Sequence, residues 1–188
     1  MDLRTWLVDE AHDLRRRLEG AVIAHLPPEE MTERVDGGGV APVYVLWHLA
    51  RHHDVAVNAV LRGEAEVLDA HADRVGIATD TWRGLAEAQD DEIVARLDPA
   101  GVAAYTLAVC DATAAWLADT PLDVLDTVPD PAAVLDALGT PRDRFSWLYD
   151  MWAGRDAAFF VRWEALGHGF NHLGELVALR NRLGHSPF

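Results

Sequence analysis

The chain has 188 residues, half of them hydrophobic and a quarter charged, which is enough apolar mass for one packed domain spanning 1–188. Its formal net charge of −15 excludes the broad basic face that phosphate neutralisation requires, so neither nucleic acid nor an anionic membrane surface is an expected partner. Short clusters such as Arg15-Arg16-Arg17 do not change that balance.

The first segment, Met1-Asp2-Leu3-Arg4-Thr5, lacks a basic stretch followed by an apolar one, so no signal peptide is expected and the cytoplasm is the expected compartment. A first helix is predicted from about Leu3 to His25, because Leu7, Ala11, Leu14, Leu18 and Val22 recur at three- and four-residue steps. Pro27-Pro28 ends it, and a loop through Gly37-Gly38-Gly39 leads to Pro42. A second helix, about Val43 to Leu61, closes at Gly63 with Arg62 in its last turn. Residues 64–97 are irregular and read as short helices joined by polar loops. Asp98-Pro99 then opens a third helix, with a capping carboxylate and a proline at the first helical position, ending near Thr120-Pro121. It carries the chain's one cysteine, Cys110, whose alanine-rich surroundings predict a buried, inert thiol. Proline-rich connections fill 121–142, and a last helix runs from about Ala157 to Leu183 before Gly184. With no run of alternating β-branched residues, and with apolar runs broken well short of the roughly 20 residues of a membrane span, the pattern is that of an all-α helix bundle with short accessory helices.

The last helix contains His168 and His172, four residues apart and therefore one turn above each other on an otherwise apolar, inward-facing stripe. Two imidazoles so placed can converge on one metal ion. A zinc protease of the familiar helical type needs a glutamate directly after the first histidine, and Gly169 stands there. The second helix offers a third ligand in His48 or His52, and helical phase alone does not choose between them. Arg51, Asp54, Asn58 and Arg62 form its polar arc. Glu175, three residues beyond His172, can orient a ligand's free N–H or serve as a fourth ligand.

The string His48-Leu49-Ala50-Arg51, with Asp54 and Val57-Asn58, resembles the metal-binding helix of the mycothiol-dependent maleylpyruvate isomerases, members of the DinB-like superfamily. The string His168-x-x-x-His172-x-Gly174-Glu175-Leu176, then Arg180 and Leu183-Gly184, is similar to the closing helix of DinB-like proteins more broadly. The resemblance implies an up-down-down-up four-helix bundle with a long crossover and often a homodimer. It implies a divalent metal (Zn or Ni) on His48, His168 and His172. In the isomerase branch a glutamate commonly takes the place of His168.

The implied activity is that of a metal-dependent thiol S-transferase or isomerase, pairing a low-molecular-weight thiol such as mycothiol or bacillithiol with an electrophilic substrate. Three neutral imidazoles leave an open coordination position at which a thiol or water is deprotonated at neutral pH. Arg51, one turn from His48, is the expected contact for a carboxylate of thiol or substrate, and Glu175 the expected base. Metal-dependent hydrolysis and a non-catalytic metal-binding or stress-response module are the competing readings.

Overall fold

In the computed structural model, which describes residues 2–35 and 38–187, four long helical rods carry the molecule. Gly37 of the predicted glycine turn lies outside the described residues. The first rod is α1 (Leu3–Arg17), extended by a wider π-helical turn, Leu18–Ile23. The second is α2 (Pro42–Asp54), extended in the same way over Val55–Leu61. Two short helices follow in the crossover, α3 (Ala72–Val75) and α4 (Asp91–Val94). The third rod, α5 (Pro99–Asp119), opens as expected, with Asp98 accepting the Gly101 N–H at 2.6 Å and Pro99 in the first turn. The fourth is continuous from α8 (Ala157–Phe159) through a π-helical stretch, Phe160–Gly167, into α9 (His168–Arg182). No strand occurs among the described residues.

α5 and α9 each pack against both α1 and α2, which places α1 and α2 on opposite corners of an all-α bundle. Leu14, Leu18, Trp47, Val109 and Leu176 are fully buried where the rods meet. The last rod packs on α1 at Gly169, where a Cβ would stand 2.5 Å from a methyl of Leu14. A side chain there would have to displace the end of Leu14.

Two features depart from the sequence expectations. The connection after α5 is more structured than its prolines suggest: α6 (Pro131–Ala137) and α7 (Arg142–Trp152) pack together. Phe145, Leu148 and Trp152 of α7 form a second apolar cluster with Val55, Leu85 and Phe160. Both helices are too short to display a clear 3.6-residue period, and tertiary burial selects them. Second, α5 is long and apolar enough by length and composition to cross a bilayer, a continuity that the broken apolar runs did not suggest. Here Val102, Tyr105, Val109, Cys110, Thr113 and Leu117 are buried in the bundle core.

Candidate metal centre

Every residue of α2 from Pro42 to Asp54 is buried, including His48, Arg51, His52, His53 and Asp54. The long crossover covers what would otherwise be the solvent face of this helix. Its segment Thr81–Leu85 packs on α2 as a 3₁₀ helix. The Tyr44 hydroxyl donates toward the carbonyls of Ala86 (2.8 Å) and Ala88 (2.9 Å), tying down the loop between them. Gly84 lies so close that a Cβ there would stand 2.5 Å from both Trp47 Nε1 and Arg51 Cγ. That approach delivers the Gly84 carbonyl to the imidazole of His48.

His48 Nδ1 is 2.9 Å from the Gly84 carbonyl, so Nδ1–H donates and Nε2 keeps its lone pair. Nε2 is buried and has no hydrogen-bond partner. A buried nitrogen acceptor without a donor is costly unless something absent from the polypeptide completes it. Around it stand other histidines: ring centroids lie 4.7 Å away for His52, 5.0 Å for His168 and 4.9 Å for His172. One donor atom each from His48, His52, His168 and Glu87 falls within 4.8 Å of the others. Glu87 is the exposed member, its Oε2 3.8 Å from His48 Nε2 and its side chain 64% exposed, so the cluster meets solvent on the crossover side.

His172 completes a triangle of rings with His48 and His168. The Nε2 atoms of His168 and His172 are 3.0 Å apart, and His172 Nδ1 faces Glu175 Oε2 at 2.8 Å. The Nε2–Nε2 contact is a hydrogen bond between the two rings, and nitrogens about 2.0–2.1 Å from one tetrahedral zinc ion stand only slightly further apart, so the pair needs little movement to share an ion. The expected triad of His48, His168 and His172 and the converging group of His48, His52, His168 and Glu87 therefore share two members. Burial, with the neighbouring His52 and His172 next in effect, holds the His48 imidazole well below its ordinary pKa. Burial acts on His168 in the same direction, reinforced by His52, His48 and His172. Neutral imidazoles are the ligating form. The residues present thus fit a divalent cation: neutral nitrogen donors, a carboxylate at the mouth and an orphaned, inward-facing lone pair.

The structure places the two other expected site residues differently from each other. Glu175 is beside His172, as a ligand-orienting carboxylate should be. Arg51 is not positioned to receive a substrate carboxylate. Its side chain is wholly buried, with Nη1 2.5 Å from Glu66 Oε2 and 3.1 Å from the Tyr105 hydroxyl. The polar arc of α2 is inside the protein for the same reason: Asp54 accepts from the Val67 and Leu68 amides, Asn58 and Tyr105. The segment that follows α2 folds back over this arc and turns it into an internal clamp.

Two participants escaped the sequence reading. Glu87 sits in a loop, where no period marks it. Glu164 is four residues before His168 and eight before His172, a helical repeat that signals a shared face. It is 1% exposed and binds His52 and Trp152. Of the tryptophans near this end of the chain, Trp152 is fully buried, while Trp147 and Trp163 are partly exposed. The Trp163 ring lies 6.5 Å from that of His168.

No family model matches the chain, and no curated protein sequence does. A solved structure of a conserved protein from Enterococcus faecalis is similar over 99% of both chains, with a TM-score of 0.70 and 14% identity. At that identity the likeness concerns the fold.

Proposed function

We propose that this chain is a DinB-like metal protein that holds one divalent cation through His48 and His168, with His172 and the His52–Glu87 side completing the site. We further propose that it uses the ion in a thiol S-transfer or isomerisation reaction. The observation that carries the reading is the buried, partnerless Nε2 of His48, facing the other imidazoles. A donor set dominated by imidazole suits zinc, nickel or another borderline transition metal better than magnesium or calcium. When bound, such an ion lowers the pKa of a thiol or water ligand and so supplies a nucleophile at neutral pH.

The protein's own groups have separate tasks in this reading. Gly84 and Glu175 hold the Nδ1–H groups of His48 and His172, which directs each Nε2 into the cluster, where that of His172 meets His168 Nε2. Glu87, at the solvent-facing edge, accepts the proton of an incoming thiol such as mycothiol or bacillithiol. Trp163, 39% exposed and with its ring 6.5 Å from that of His168, offers an apolar surface for the electrophile. Cys110 takes no part: it is buried, and burial raises its thiol pKa to about 12.

Metal content of protein purified without chelators is the first test. The expected result is about one ion per chain, lost in His48→Ala; unchanged content in that variant overturns the site. Thiol conjugation to a panel of electrophiles, with and without added metal, then tests the chemistry. A second reading, a structural metal site, draws on the near-complete burial of His48, His52 and His168. Cobalt(II)-substituted protein separates the two: added thiol changes the absorption spectrum of an open site and leaves that of a closed one unaltered.

A further inference from the structure

Glu164 is a buried carboxylate for which neither the bundle nor a three-histidine site has a use. It lies on the π-helical stretch that leads into His168, within a largely aromatic corner where Trp152 stacks edge-on against Phe160 and His52. Its Oε1 accepts the Trp152 indole N–H at 2.7 Å, and its Oε2 is 3.0 Å from His52 Nδ1. A carboxylate in such a place is costly unless donors and a countercharge are supplied. The indole is a neutral donor, which leaves His52 and whatever His52 binds to balance the charge.

With only Nδ1 protonated and directed at Glu164, the lone pair of His52 is on Nε2. That nitrogen lies 3.2 Å from the Leu85 carbonyl oxygen. Two lone pairs at that distance repel unless a cation or a proton lies between or beside them. The His52 ring is 4.7 Å from those of both His48 and His168, and its donor atom belongs to the converging group. Metal-ligating histidines commonly donate their second N–H to a carboxylate, which sets the tautomer and strengthens the ligand.

We infer that the Trp152–Glu164–His52 chain makes His52 a metal ligand, with Glu164 the positioning residue that fixes its Nδ1–H tautomer. The inference rests on the metal reading above and adds to it the carboxylate that orients His52. Trp152 comes from α7, so the helix hidden in the proline-rich connection reaches the metal through two hydrogen-bonded groups.

The test uses the full chain loaded with zinc or cobalt(II). Glu164→Gln preserves shape while removing the charge and one acceptor oxygen. It is expected to lower zinc affinity, read by chelator competition, by about 10–100-fold. It and His52→Ala are expected to alter the cobalt absorption bands, which a role in packing alone would leave unchanged. If a variant fails to fold, long-range proton–nitrogen NMR of the loaded wild-type protein still decides. A His52 ring protonated at Nδ1 and metal-shifted at Nε2 supports the inference, and one protonated at Nε2 overturns it. Unaltered affinity and bands in both variants also overturn it while leaving the metal site standing. A wild-type chain that loads neither ion overturns the metal reading itself.

Discussion

Helix α2 buries two polar clusters within two turns of each other, and they are built on opposite principles. Around Asp54 the acceptor is saturated: its two oxygens receive four donors, from Asn58, Tyr105 and the amides of Val67 and Leu68, and a spare group there, Arg51 Nη2, is a donor. Arg51 supplies the countercharge from 3.7 Å and pairs with Glu66 as well. Around His48 the balance fails in one direction. Imidazole nitrogens face one another and a carboxylate, and His48 Nε2 has no donor at all. Matched polar burial fastens a fold, whereas a surplus of converging lone pairs asks for a cation.

The largest effect that would break this distinction is on stability. Asp54→Ala removes the hub of this cluster and leaves the buried amides of Val67 and Leu68 without an acceptor, while Arg51 keeps Glu66. Urea unfolding should show a loss of about 2–6 kcal/mol, at about 1–3 kcal/mol for each unsatisfied amide. The folded fraction should keep its metal stoichiometry. Equal loss of metal in this variant would mean that the clusters are one unit.

The histidine cluster should respond to metal where the clamp does not. Saturating zinc at a hundredfold excess over Kd stabilises by about 2.7 kcal/mol, and a chain of this size gains roughly 2–4 °C per kcal/mol. A chelator should therefore lower Tm by several degrees in the wild type and leave His48→Ala unmoved. A chelator-insensitive wild-type Tm would contradict the site.

Gly84 links the two clusters, since it packs on Arg51 and Trp47 and its carbonyl binds His48. Gly84→Ala is predicted to cost about 1–3 kcal/mol through overpacking and to weaken metal binding as well. Metal affinity that survives the substitution would show that the carbonyl is replaceable. The smallest expected effect is at Cys110. Its folded-state pKa of about 12 lies above the ordinary thiol value, so burial favours the neutral thiol up to strongly alkaline pH. A thiol reagent at pH 8 should label it only after denaturation, and rapid labelling of the native chain would place it on an accessible surface instead.

The bundle itself was readable in the residues. The apolar steps of Leu7, Ala11, Leu14, Leu18 and Val22, the Asp98-Pro99 opening and the Gly184 stop each act within a few residues, so the rods lie within a residue or two of expectation. His168 and His172 were readable for the same reason, because a spacing of four puts two side chains on one helical face.

Other decisions needed the assembled molecule. His48 and His52 both fall in the converging group, with Gly84 and Glu164 each holding one nitrogen of a ring. Arg51 looked available on its helix, and only the return of the chain at Glu66 and the packing of Tyr105 enclosed it. Glu87 and α7 gain their meaning from elements far away in sequence. Periodicity and capping are local properties, legible one helix at a time. Which buried lone pairs are satisfied depends on groups brought together across the fold, and at His48 that sum leaves a nitrogen facing its neighbours without a proton to share.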